Sequence, residues 1–278
     1  MKKLFKWPGG KSRELKLIKE LMPKEVSLLV EPFCGSAALS FDLEIKSVLN
    51  DLDKHIINFY KVVRDKEKFS KLKAMIDSSK SLTWHDKKDP NRKTAISLEN
   101  EYYRQRTIFN SKSGTDIEQA YAFFIMRQLS FSGMLRFNPT TGDFNVPYGW
   151  YKKFTDNLTN DASLFLQACS ITNKDYEKTL IENDNKGTFF FIDPPYRNSA
   201  GYPSEDWDDD NFHINLSNAV KSLKNAKWMI VHCDDDLYKN LYSDFRIETA
   251  NFNYAIAFKD RNTKNRKVKH LYIMNYWL

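Results

Sequence analysis

Nine residues, Thr188-Phe189-Phe190-Phe191-Ile192-Asp193-Pro194-Pro195-Tyr196, limit what this chain can fold into more than any others. The first five, rich in aromatic and β-branched side chains, read as a buried strand. Two prolines then stop it: neither donates a backbone N–H and each fixes φ, so the chain leaves the sheet stiffly. Asp193 precedes a proline and is biased to extended backbone. A carboxylate, a main-chain carbonyl and an aromatic ring are thereby gathered at the carboxyl end of a strand, where open α/β sheets bind ligands. Two neighbouring acceptors suit a planar group with two N–H donors, such as the exocyclic amine of a base, and the Tyr196 ring offers a face for stacking. That amine is a poor nucleophile because its lone pair is delocalised into the ring. Accepting hydrogen bonds from both N–H groups draws the nitrogen toward tetrahedral geometry and frees the pair. The plainer reading is a strand ending in a Pro-Pro loop with an incidental acid and tyrosine, and context decides between the two.

The chain around this stretch is α/β at both ends. Trp7-Pro8-Gly9-Gly10-Lys11-Ser12 is a turn, with Ser12 placed to cap a helix over Leu15, Leu17, Ile18 and Leu21. Free N–H groups and Lys11 at that helix start attract an anion; an ordinary surface turn is the alternative. Ser27-Leu28-Leu29-Val30 is a strand, followed by the turn Glu31-Pro32-Phe33-Cys34-Gly35-Ser36 into a helix, the order of nucleotide-binding folds but with a single glycine. Ser47 to Asp53 reads as the next strand. Asp51, twenty residues after Glu31, is placed for ribose hydroxyls, while one of Asp51 and Asp53 caps the helix that follows. After residue 159 the rhythm resumes: Phe165–Thr172 as a strand, Asp175-Tyr176 behind it, a helix at 212–223, the strand Trp228–Val231, and an antiparallel pair over Tyr254–Lys259 and Val268–Asn275. The acids Glu205 to Asp210 read as a helix cap, and neither they nor His232-Cys233 have the spacing of a metal site.

Residues 58–159 interrupt this pattern. They read as a charged helix over Lys61–Ile76, a polar loop over Ser78–Lys93, helices at 95–110 and 116–130, and a β-hairpin whose arms flank Pro139-Thr140-Thr141-Gly142. Phe131, Ser132, Arg136 and Pro147 on the hairpin, Lys152 and Lys153 after it, and Lys264, Arg266 and Lys267 in a later basic loop interleave cations with rings, which suits nucleic acid. Hairpin aromatics packed on the helices are the competing reading. Lysine and arginine outnumber the acids 43 to 36, a balance that favours a polyanionic partner. Three widely spaced cysteines give no disulfide framework and point to a reducing compartment. The basic N-terminus lacks the apolar core of a signal peptide, and no run reaches the roughly 18 apolar residues of a membrane span, so a cytoplasmic place is expected.

Taken in order, Trp7-Pro8-Gly9-Gly10-Lys11, Glu31-Pro32-Phe33-Cys34-Gly35-Ser36, Asn50-Asp51, Phe144-Asn145-Val146-Pro147-Tyr148-Gly149 and Asp193-Pro194-Pro195-Tyr196 resemble the Dam-type (D12 class) DNA adenine-N6 methyltransferases. The resemblance implies a Rossmann-like methyltransferase sheet over residues 1–57 and 160–278. It also implies an inserted, mainly helical target-recognition domain over 58–159, S-adenosylmethionine as donor, no metal, and site-specific methylation of a flipped adenine in duplex DNA. It assigns Trp7, Lys11, Glu31, Phe33, Gly35 and Asp51 to the cofactor, with Asp175 and Tyr176 on its adenine side. Asp193, Pro194 and Tyr196 go to the target adenine, and Arg136 to a guanine in the site. A bacterial or phage origin and a cognate restriction endonuclease fit such a family. Two positions depart from its usual pattern: Ala37 stands where many members have a second glycine, and Ser132-Gly133 where Asn-Gly is usual. An RNA or protein amine methyltransferase, and a catalytically silent DNA-binding relative, are the other readings of these motifs.

Overall fold

The computed structural model describes residues 1–86, 88–90, 96–197, 209–254 and 266–277. Its centre is a seven-stranded sheet in the order β3-β2-β1-β4-β5-β7-β6, formed by β1 (Leu28–Glu31), β2 (Ser47–Asn50), β3 (Ser170–Thr172), β4 (Thr188–Ile192), β5 (Lys227–Cys233), β6 (Arg246–Tyr254) and β7 (Arg266–Met274). The pairs linking β1 to β5 are parallel; β7 runs antiparallel to β5 and β6 antiparallel to β7. Both faces of the central strands are covered, which is why they are apolar throughout rather than alternating. Val30, Phe190, Ile192 and Ile230 pack on one side with Leu180 of α8 (Tyr176–Glu182), Leu216 of α9 (Asp210–Lys221) and Tyr238 of α10 (Asp236–Leu241). Leu29, Phe189, Phe191 and Met229 pack on the other with Ile18 of α1 (Leu15–Leu21) and Leu39 of α2 (Ala38–Leu43).

A third apolar cluster joins the sheet to the helices between β2 and β3: α3 (Lys54–Arg64), α4 (Lys66–Lys80), α5 (Leu98–Ser111) and α6 (Asp116–Leu129). At its base Arg127, almost fully buried, donates to the carbonyls of Lys6 (3.2 Å), Met134 (3.0 Å) and Gly133 (2.7 Å). One guanidinium thus fixes the glycine turn near the N-terminus against the ribbon that follows α6. Hydrogen bonds from a charged donor are worth about 1.5–3 kcal/mol each, and losing them strands carbonyls. Arg127→Met is expected to cost about 3 kcal/mol, read as a lower denaturant midpoint at unchanged slope; a loss below about 1 kcal/mol would mean that water replaces the guanidinium at no cost.

Several sequence expectations need correction. Residues 165–168 are not strand: they end α7 (Asn160–Ala168), which the Thr159 side chain caps by accepting from Ala162 N–H. Only Ser170–Thr172 joins the sheet, since the apolar spacing of Ala162, Phe165 and Leu166 is helical. The charged helix over 61–76 is two helices broken at Asp65, whose carboxylate caps α4 by accepting from Glu67 and Lys68 N–H. Ser12 caps nothing: Lys11–Arg13 is a 3₁₀ turn, and α1 begins at Leu15 without a side-chain cap. Asp53, not Asp51, caps α3. The strand expected from Tyr254 starts at Arg246; as an edge strand, half of it facing solvent, it is polar and reads as loop. The described ribbon over 131–148 carries two isolated bridges, Ser130–Tyr148 and Phe137–Phe144, with a 3₁₀ turn at Phe131–Gly133, where a regular ladder was expected. Ser132 there takes φ +51°, which tips the chain out of strand geometry. Of the expected 78–93 loop, residues 78–80 are the last turn of α4; residues 87 and 91–93, most of the 205–210 acidic run, and the basic loop from Lys259 to Asn265 lie outside the described residues.

Candidate active site

Strand order reverses direction between β1 and β4, which lie side by side with Leu29 opposite Phe189 and Val30 opposite Phe190. A cleft opens past the carboxyl ends of strands at such a switch point. Here it has a volume of about 540 Å³ and is lined by Trp7, Lys11, Glu31, Phe33, Gly35, Asp51, Asp193, Pro194 and Tyr196, within the range of roughly 300–1,000 Å³ usual for small-molecule sites.

One wall is built by the turn after β1. Gly35 takes φ +45°, and a Cβ there would lie 2.8 Å from Trp7 Nε1, so the indole packs where only glycine fits. Gly35 N–H donates to Asp51 Oδ2 (2.8 Å), and its carbonyl accepts from Tyr60 OH (2.9 Å). Asp51 Oδ1 also accepts from Asp53 N–H at 2.9 Å. Burial, then the charge of Asp53, pushes the Asp51 carboxyl up to about 7. Ala37 is also left-handed (φ +46°), a conformation that costs an L-residue about 1–2 kcal/mol. Glu31 is buried and accepts from Ser40 N–H (3.0 Å) and its hydroxyl; burial outweighs those bonds and lifts the carboxyl to about 7.

The other wall is the loop after β4. Lys11 Nζ lies 2.7 Å from each oxygen of Asp193, donating to Oδ2, and also donates to the Gly9 carbonyl at 2.9 Å. The same nitrogen stands 4.9 Å from the centre of the Tyr196 ring. Burial raises the Asp193 carboxyl above its ordinary range, and Lys11 works against that rise. Tyr196 is seated by two histidines, His232 at 4.6 Å and His270 edge-on at 5.6 Å. His232 stacks on Tyr238 at 3.7 Å, and burial holds its pKa down at about 3, so the imidazole is neutral. His270 meets Glu14 Oε2 at 3.0 Å, an oxygen that also accepts from Tyr272 OH.

Not every residue singled out in the sequence meets here. Asp175 accepts from Glu177 N–H and caps α8, and Tyr176 is buried against Phe33 at 5.4 Å; neither lines the cleft. Arg136 is exposed and its guanidinium donates to Asn145 Oδ1 (2.6 Å) and Asn145 O (3.1 Å). Phe131, Ser132 and Pro147 are exposed on the same ribbon; Lys153, after it, is exposed, and Lys152 Nζ stands 4.8 Å over the Trp84 ring. Lys267 is exposed on β7, Arg266 is described only by its backbone, and Lys264 lies outside the described residues. Sequence reasoning missed His232 and His270 as the seat of Tyr196. It also missed His55, Lys112, Leu135 and Phe137 as cleft residues. Nothing in the local sequence marks them, because each acts through contacts far along the chain. Among the described residues no cluster of His, Cys, Asp and Glu is arranged to hold a metal, and no helix is long and apolar enough to cross a membrane.

By fold this is a doubly wound α/β protein with a cleft at the switch point of a mostly parallel sheet. It belongs to the D12 class N6 adenine-specific DNA methyltransferase family, which it matches over residues 7–256. The chain is 28% identical to the type II methyltransferase M.CviBI of Paramecium bursaria Chlorella virus NC1A, over 99% of this chain and all of that one. It is 30% identical to the type II methyltransferase M1.LlaDCHI of Lactococcus lactis subsp. cremoris, covering 98% and 94%. To the DNA adenine methylase of Haemophilus influenzae it is 25% identical, covering 96% and 91%. Its activity is methylation of adenine in DNA at N6.

Proposed function

We propose that the cleft binds S-adenosylmethionine against Trp7, Lys11, Glu31, Phe33, Gly35 and Asp51, and takes an adenine swung out of duplex DNA beside Asp193, Pro194 and Tyr196. The observation that carries this reading is the meeting of Gly35, Asp51, Lys11, Asp193 and Tyr196 in one cleft. The residues fit the cofactor's chemistry. Its ammonium needs a carboxylate, which Glu31 supplies; its ribose hydroxyls need an acceptor, which Asp51 supplies; its rings need apolar walls, which Trp7 and Phe33 supply; and the absence of a Cβ at Gly35 lets the Trp7 indole pack against the turn. Asp175 and Tyr176 act at one remove, through Phe33. When bound, S-adenosylmethionine supplies a methyl group already activated on sulfur.

The protein's part is to position the amine. Asp193 accepts from one amine N–H and the Pro194 carbonyl from the other, which restores the nitrogen lone pair as methyl transfer proceeds. Tyr196 stacks on the base and offsets the few kcal/mol that extrusion from the duplex costs. The proton released as the new N–C bond forms passes to Asp193 or to water. Residues 58–159 form the target-recognition part, with 1–57 and 160–278 as the catalytic part. Phe131, Ser132, Arg136 and Pro147 face the bases, and Lys152, Lys153, Lys264, Arg266 and Lys267 face phosphates. A cytoplasmic site of action and a cognate endonuclease fit the type II names of two relatives. The test is labelled-methyl transfer from S-adenosylmethionine to DNA, RNA and protein pools, followed by sequencing of modified bases. Label is expected in DNA alone, as N6-methyladenine in one sequence context; label in RNA or protein, or at cytosine, would overturn the reading.

Arg136 is proposed to read a guanine, donating to O6 and N7 in the major groove. Asn145 now takes those donors, so base reading exchanges one partner for another without leaving the guanidinium bare. Arg136→Ala is expected to cost about 1–3 kcal/mol on the methylated site and to relax preference at one position, measured on a library of single-base variants. A uniform loss across all sequences with an unchanged preference profile would assign Arg136 to phosphate instead.

A further inference from the structure

Leu135, Arg136 and Phe137 alternate in exposure. Arg136 is exposed, while Leu135 and Phe137 are half-buried and line the cleft together with Trp7, Asp51 and Asp193. In extended backbone successive side chains point to opposite faces, so one three-residue segment shows its cation to solvent and its two apolar neighbours to the cleft. Two backbone bonds, Asn145 N–H to Arg136 O (3.1 Å) and Asn138 N–H to Asp143 O (2.7 Å), make the Phe137–Phe144 bridge that holds the segment, and the Arg136 guanidinium adds its bonds to Asn145. Rings continue the contact inward, from Phe137 to Phe144 (5.7 Å), Phe109 (6.2 Å) and His55 (4.1 Å), which lines the cleft itself.

We propose that Leu135 and Phe137 are the outer wall of the cofactor cleft, and that this wall couples cofactor occupancy to base reading by Arg136. The inference rests on the cofactor assignment above. A bound cofactor packs against Leu135 and Phe137 and so fixes a segment that sparse backbone bonding leaves easy to open. Arg136, between them, is then presented to DNA already ordered, and the entropy of ordering is spent before DNA arrives. Linkage makes the effect reciprocal: whatever factor the cofactor adds to DNA affinity, DNA adds to cofactor affinity. The recognition ribbon is thus a specificity element on one side and a cofactor contact on the other.

Calorimetry with S-adenosylhomocysteine, which cannot react, tests this on the full chain, paired with binding of a short duplex carrying the site that the wild-type enzyme methylates. In the wild type S-adenosylhomocysteine is expected to tighten duplex binding about fivefold or more. Phe137→Ala is expected to bind S-adenosylhomocysteine at least tenfold more weakly and to lose that tightening, while Phe137→Tyr keeps both. Arg136→Ala is expected to bind the duplex weakly yet keep wild-type affinity for S-adenosylhomocysteine. Thermal melts establish that each variant is folded, and Leu135→Ala repeats the measurement should Phe137→Ala melt early. Asp51→Ala separates the two layers of the argument. If it weakens S-adenosylhomocysteine binding while folded Phe137→Ala and Leu135→Ala do not, the coupling wall is wrong and the cofactor assignment stands. If Asp51→Ala also leaves binding unchanged, the assignment falls and the wall with it.

Discussion

Asp193→Ala is expected to lower kcat by about 10²–10⁴-fold while leaving DNA affinity within about twofold. Asp193 is the carboxylate at the carboxyl end of β4, and in the proposed function its oxygens accept from the adenine amine. Without them the amine keeps its lone pair in the ring, and no neighbour on the cleft wall can substitute: Glu31 is turned to Ser40 and Asp51 to the Gly35 and Asp53 amides. DNA affinity is spared because the proposed phosphate and base contacts lie on the ribbon and its flanks. The alanine also leaves Lys11 beside Tyr196 without its counter-ion, so Asp193→Asn is the companion variant, keeping one acceptor and much of the shape. Single-turnover methylation at saturating cofactor and DNA is the measurement. A rate for Asp193→Ala within tenfold of wild type would remove this side chain from the chemistry.

Lys11→Met is expected to act through pH. Burial raises the Asp193 carboxyl above its ordinary range, and the nearby Lys11 ammonium is the largest influence holding it down. Protonated Asp193 cannot accept from the amine with the oxygen that carries the proton, so activity is lost as pH falls through its pKa. An ammonium beside a carboxylate favours its charged form; removing Lys11 therefore moves the acidic limb of the kcat profile upward. The variant is expected to fall furthest below wild type at the acid end of the profile, and the gap to narrow as pH rises. If the variant is uniformly slower and its acidic limb unmoved, Lys11 acts on the cofactor alone and not on Asp193.

These two residues also show what the amino-acid sequence could and could not disclose. The strand ending at Asp193 and the turn at Gly35 were legible because an apolar run and hard punctuation by proline or glycine are local signals. Their meeting was legible only through the resemblance, since Lys11 and Asp193 are 182 positions apart and nothing local in either stretch points to the other. Residues 165–168 were misread because a short apolar run does not distinguish strand from helix; the Thr159 cap was the deciding signal. The start of β6 was missed because an edge strand is polar where it meets solvent. Nothing local in the sequence singles out Leu135 and Phe137, and only the folded ribbon brings them over the cleft.

The order of strands has a consequence for synthesis. β7 lies between β5 and β6, and its His270 and Tyr272 both reach Glu14, 256 and 258 residues earlier. β6 leaves the ribosome first but has no neighbour to pair with until β7 is threaded in beside it. At about 5–20 residues per second, most of the parallel sheet is made many seconds before the strand that carries His270 beneath Tyr196. During that interval Tyr196 lacks one of its two supports and the flank of β5 is bare. A nascent chain therefore exposes a sheet edge just when it still lacks a finished site, and a chaperone that shields that edge would govern the yield of active enzyme.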